Sequence, residues 1–152
     1  MKRLILLTIF LGFSSVVTSY AQSKVSQKEK FEATYNKIKA IVQSKDYQFV
    51  GEMVYHNKKR ERLEVNSNTV TVDRNNVSGK VSSLSSKRTT IEVDGRMKNY
   101  NVNFDDDSQQ ISIEFTSDNV GFYIDVKPNG NAFLTAKRAN SEITQVGKIK
   151  DI

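Results

Sequence analysis

Apolar residues recur every three to four positions from Phe31 to Val42 and every second position through most of the remaining chain. That change of period divides the chain into one helix and a series of strands. Phe31, Tyr35, Ile38 and Val42 mark one helical face, with Lys28, Lys30, Lys37 and Lys39 largely on the others. Ser26-Gln27-Lys28-Glu29 fits a capping box, in which the serine oxygen and the glutamate carboxylate each satisfy a free backbone N–H. The pattern predicts one amphipathic helix over residues 27–43.

Strand signals fill residues 46–149. Tyr47, Phe49, Met53 and Tyr55 alternate onto one face, with Gly51 among them as a candidate bulge. Leu63 with Val65, and Val70 with Val72, repeat the alternation, and Ile91 and Val93 run into Asp94-Gly95, a strong turn signal. Tyr100, Val102 and Phe104 oppose Asn101 and Asn103 in face, as Ile111, Ile113 and Phe115 oppose Ser112 and Glu114. Phe122, Ile124 and Val126 precede the turn Lys127-Pro128-Asn129-Gly130, and Ala132–Ala136 and Ile143–Ile149 complete the series. Residues 78–90 carry only Val81 and Leu84 among Ser, Gly, Lys and Arg, and are read as a mobile loop. About eight short strands with brief connections favour a mainly β, antiparallel sheet closing toward a barrel or sandwich, with the helix packed on it.

The first residues change the picture by adding an address. Lys2 and Arg3 precede an apolar run from Leu4 to Val17, and Ser19-Tyr20-Ala21 offers small residues at a secretory cleavage site. The run of about 14 residues is shorter than the roughly 20 that span a bilayer. Residues 1–21 are therefore read as a signal peptide and 22–152 as a single β-rich domain, exported to the periplasm or beyond, without a transmembrane anchor after cleavage. Removing Lys2 and Arg3 from the 23 basic residues leaves 21 against 17 acidic, a net charge of +4 spread along the chain. No concentrated basic stripe with aromatic partners exists to receive nucleic acid. The chain has no cysteine, so stability rests on packing and not on disulfides.

Candidate chemistry is sparse. His56 is the single histidine, which makes neither a triad nor a zinc site by itself. Glu52, Glu64, Glu92 and Glu114 are available to a carboxylate-based hydrolase, but no spacing pairs them. Asp105-Asp106-Asp107 is the densest acidic cluster. Asn103, Asp105, Asp107 and Glu114 match four ligand positions of a calcium loop, yet Ser108 replaces the required glycine and the flanks alternate as strands. The cluster is read as the solvated tip of a hairpin, with calcium as the lesser alternative and no other cofactor expected. Lys58-Lys59-Arg60-Glu61-Arg62 is read as solvated surface, with an anionic envelope surface as the alternative.

The segment Ser44-Lys45-Asp46-Tyr47-Gln48-Phe49-Val50 and the C-terminal pattern of Gly130, an apolar strand, Ser141 and Val146-Gly147-Lys148-Ile149 are similar to secreted proteins of Bacteroidetes grouped as domain of unknown function 4251. The resemblance spans nearly all of residues 22–152 and implies an envelope location and a β-rich fold, and nothing about catalysis. This chain departs from that group at Val81-Ser82-Ser83-Leu84-Ser85-Ser86, where a Leu-Pro-Tyr type of segment is expected.

These readings converge on non-enzymatic binding of an envelope-associated small or lipid-like ligand. Tyr47, Phe49, Met53, Tyr55, Tyr100, Phe122 and Ile124, with Val102, are expected to line its cavity, under a lid of Phe31, Tyr35 and Ile38. The alternative is a protein-interaction module acting through a sheet edge or the 78–90 loop, with a carboxylate-based hydrolase ranked third.

Overall fold

The computed structural model describes residues 26–87 and 89–152; the expected signal peptide lies outside the described residues. Helix α1 spans Gln27–Ser44. Its capping box forms as expected, with Glu29 N–H donating to Ser26 Oγ at 3.2 Å and Ser26 N–H donating to Glu29 Oε2 at 2.8 Å. Lys45 ends the helix in the left-handed region at φ 56°. Tyr35, Ile38 and Val42 form its buried face.

Among the described residues, ten strands succeed the helix: β1 Asp46–His56, β2 Lys59–Arg62, β3 Thr69–Asp73, β4 Asn76–Ser82, β5 Thr90–Arg96, β6 Lys98–Asp105, β7 Gln110–Ser117, β8 Val120–Val126, β9 Ala132–Arg138 and β10 Ser141–Asp151. All pairings are antiparallel, and the order across the sheet is β5-β4-β3-β1-β10-β9-β8-β7-β6, with β2 paired to β1. β5 and β6 are consecutive in the chain but stand at opposite ends of this path. The sheet curls until the two ends approach. Arg138 at the end of β9 donates to the Glu92 carbonyl of β5 at 2.5 Å, and the Tyr47 hydroxyl of β1 lies 3.4 Å from that of Tyr100 on β6. The result is a nearly closed, barrel-like sheet with one seam.

Alternation fills the interior. Ile111, Ile113 and Phe115 of β7 face Phe122, Ile124 and Val126 of β8 and Ala132, Leu134 and Ala136 of β9, all buried. Ala136 sits opposite Phe122, and the small side chain leaves room for Phe122 to stack on Phe115 with ring centroids 4.9 Å apart.

Four expectations need correction. First, the register between β1 and β10 shifts between Gly51 and Met53. Glu52 is the extra residue, so Tyr47 and Phe49 point inward with Val54, whereas Met53 and Tyr55 turn to the outer face. A single inserted residue exchanges the two faces of everything after it. Second, Leu63 and Val65 are not a strand: the segment 63–68 bridges the point where β1 exchanges β2 for β3 as its neighbour, and Val65 is 87% exposed. Third, Asp94-Gly95 lies within β5 and not in a turn. A Cβ on Gly95 would meet the Asp118 carboxylate at 2.7 Å, so this glycine serves a close approach. Fourth, all of residues 78–82 belong to β4 and Thr90 opens β5, so the expected loop shrinks to the connection between these strands, and Val81 and Leu84 are buried.

The split beside the bulge is closed by a buried polar knot. Gly51 N–H donates to the Asn68 carbonyl at 2.8 Å and Leu63 N–H to that of Glu52 at 2.9 Å. Asn68 Oδ1 accepts from Ser82 N–H at 2.5 Å and from Gln145 Nε2 at 2.8 Å, and Gln145 Nε2 also donates to the Ser82 carbonyl at 2.9 Å. A Cβ at Gly51 would collide with Gln145 Oε1.

Candidate functional site

The residues expected to line one cavity are divided between two environments. Tyr47, Phe49, Phe122 and Ile124 are buried in the interior cluster. Met53 and Tyr55 lie on the outer face, where the Tyr55 hydroxyl donates to Met53 Sδ at 3.6 Å. Tyr100 and Val102 stand on β6 beside the seam, half-buried and packed on the core. Burial raises the Tyr47 and Tyr100 hydroxyls above their ordinary pKa, so both remain protonated where they meet. The nominated lid is likewise split: Tyr35 and Ile38 pack into the core, whereas Phe31 helps line a shallow cleft of about 330 Å³ with Lys28, Gln109 and Pro128.

The aspartate run is the turn of the β6–β7 hairpin. Asp105 Oδ1 accepts from the N–H groups of Asp107 and Ser108, each at 3.0 Å, which shapes the turn. The turn is also tied to the helix, which the hairpin pattern does not disclose. Asp106 accepts from the Tyr35 hydroxyl and from Lys39 Nζ at 2.6 Å, and Gln109 Nε2 donates to the Lys28 carbonyl at 3.0 Å. The Lys39 ammonium, then the Tyr35 hydroxyl, hold Asp106 below the usual carboxylate range. Hydrogen bonding from Ser108 does the same for Asp105.

The four nominated calcium ligands are strung out along this hairpin. Asp105 pairs with Gln110 while Glu114 pairs with Asn101, about 13 Å further along at roughly 3.3 Å per residue. Among the described residues no group of three or more His, Cys, Asp or Glu is placed to hold a metal ion. His56 pairs with Lys59 in the β1–β2 hairpin, and Glu61 of β2 accepts from Ser85 N–H and Oγ at 3.0 and 2.9 Å.

Because a depressed carboxylate pKa stabilises the fold only while the group is ionised, the Asp106 latch has a defined pH window. It is complete above roughly pH 5 and fades as pH falls through and below the ordinary value of 3.8. The melting temperature of Asp106→Asn is therefore expected to lie below that of the unsubstituted protein near neutrality, with the gap closing on acidification. A gap of constant size down to pH 2 would refute the latch.

What the fold leaves open is an edge. Among the described residues β6 pairs with β7 alone. Its inward side chains Tyr100, Val102 and Phe104 are only half-buried, whereas those of β7 next to them, Ile111, Ile113 and Phe115, are at most 2% exposed. Lysines from the helix side of the seam reach this face: Lys45 Nζ lies 4.9 Å from the Tyr100 ring centroid and Lys39 Nζ 5.3 Å from that of Phe104. The arrangement offers backbone N–H and C=O groups above a row of apolar side chains. A second concavity, a groove of about 510 Å³ beside the bulge, is lined by Val50, Met53, Leu63 and Val65 with Arg62 and Lys150. Among the described residues no helix is long and apolar enough to cross a membrane.

No curated protein matches the chain. A solved structure of a DUF4251 family protein from Bacteroides eggerthii DSM 20697 has a similar fold, with a TM-score of 0.66 at 15% identity over 82% of this chain and 91% of that one. The family model for domain of unknown function DUF4251 matches residues 29–149, from the first turn of α1 into the last strand, and the chain belongs to that family.

Proposed function

We propose that the protein, exported by its signal peptide, is a non-enzymatic interaction module that takes an extended segment of a partner onto the open edge of β6. The observation that carries this reading is the contrast between adjacent strands: β7 has its inner face buried, while β6 keeps Tyr100, Val102 and Phe104 half-covered and, among the described residues, has a neighbour on one side only. An added strand would satisfy the free backbone groups and cover those side chains together, which is how strand addition combines affinity with selectivity. The central exposed positions of the edge, Asn101 and Asn103, are neutral, where lysines or prolines commonly block pairing, while Lys98 and the bulge that follows it stand at its start. A small-ligand role remains tied to the interior aromatics, which fill the space between the strands themselves.

The reading is tested by placing a photoreactive benzophenone amino acid at position 103 and irradiating the cells that produce the protein. A discrete adduct is expected, and it is expected to disappear when Val102→Lys puts a charge into the seam. Identical adducts from the same probe at Asn119, in the β7–β8 turn beyond the Lys98 end of β6, would mean that the edge has no special role.

A further inference from the structure

We infer that the strand received by β6 is β6 of a second copy, paired antiparallel about a two-fold axis through Val102; this rests on the strand-acceptor reading above. Residues 99–105 read Asn-Tyr-Asn-Val-Asn-Phe-Asp and are a chemical palindrome centred on Val102. In an antiparallel pair, directly opposed residues lie on the same face of the sheet. A two-fold at Val102 therefore sets Val102 against Val102, Tyr100 against Phe104 and Asn101 against Asn103, with each of the unlike pairs formed twice. The half-buried apolar row of each copy meets the apolar row of the other, and the exposed asparagines meet asparagines. No like charges are opposed in this stretch, since Asp105 is its one charged residue. The regular part of the β6–β7 pairing runs from Asn101 to Asp105, and Asn99 before it is left-handed at φ 54°, so the two-fold pairing rests on Val102 with Asn101 and Asn103, and Tyr100 stands at the margin of the bulge.

The other end of the sheet lacks this property. On β5 the same operation about Val93 would oppose Glu92 to Asp94, a like-charge pair, and the Glu92 carbonyl already accepts from Arg138. β2 is four residues long and reads Lys-Arg-Glu-Arg. About its own centre, β5 therefore opposes like charges and β6 does not. An edge contact this short belongs with small interfaces, below about 1,200 Å², so the dimer is expected to be concentration-dependent.

The absence of cysteine makes the test clean. Val102→Cys adds one thiol per chain, and the two-fold brings it opposite its own image at about 4.5–5.5 Å between Cβ atoms, near the spacing a disulfide spans. With oxidised glutathione as the oxidant, the purified variant is expected to form a covalent dimer at least about tenfold faster than Asn119→Cys, because the partner thiol is held locally. Asn101→Cys and Asn103→Cys are expected to couple to each other when mixed, faster than either couples to itself. This second pair tests the same register should Val102→Cys fold poorly. If Val102→Cys couples no faster than Asn119→Cys, and the mixed pair shows no preference, the second-copy inference is overturned. In that case a surviving position-103 adduct to a different protein would leave the strand-acceptor reading standing, and the loss of both results would remove both.

Discussion

Phe49→Ala is expected to lower the free energy of unfolding by about 3–5 kcal/mol. Phe49 is fully buried on β1, between Val70 of β3 and Ile149 of β10. Removing its ring takes away apolar burial and leaves a void that three hydrogen-bonded strands are poorly able to close. The loss is a large fraction of the roughly 5–15 kcal/mol that holds a domain together. Denaturant unfolding should show a lower midpoint with little change in slope. A loss under about 1 kcal/mol would contradict a packed interior, because truncating a buried aromatic costs that little only where space already exists beside it. Such an outcome would restore the aromatic interior as a place for a ligand.

The second large effect is expected at the polar knot. Asn68→Ala leaves Ser82 N–H and one Gln145 N–H without the oxygen they share, at a cost of about 1–3 kcal/mol for each stranded group. Gln145→Met should cost less, although Gln145 is fully buried, because Gln145 Oε1 has no hydrogen-bond partner and methionine removes that atom together with its donor. The two substitutions touch one network, so the loss from Asn68→Ala should shrink by about 0.5–3 kcal/mol in a Gln145→Met background. Strict additivity in that double-mutant cycle would show that the knot does not act as a unit.

The knot also explains why the outer and inner faces of β1 were legible only in part. Strand alternation in Tyr47, Phe49, Met53 and Tyr55 is clear in the residues, but it assumes an unbroken period of two. The break at Glu52 depends on Asn68 and Gln145, which stand 16 and 93 positions away and meet only after β3 and β10 have docked on β1. Gly51 signals that something close lies opposite it without saying what. The same reasoning covers Asp94-Gly95. A pair with strong turn propensity remains extended because β4 pairs with it and the Asp118 loop requires a residue without a side chain.

By itself the sequence determined what depends on near neighbours in the chain: the capping box and apolar stripe of α1, the alternation of β7 and β8, the turn at Lys127–Gly130, and the aspartates as a hairpin end. Each is set by steric and hydrogen-bonding preferences acting over a few residues, which a linear pattern records. The family resemblance was legible for the same reason, since it rests on runs of neighbouring residues. Only the tertiary structure decided the strand order, the face exchanged at the bulge, the tie between Asp106 and the helix, and which strand ends without a neighbour. An apolar row states that a face seeks cover but not what covers it, and β6 and β7 carry nearly the same row. Their difference arises from where the sheet stops, which is a property of all ten strands together and of no segment alone.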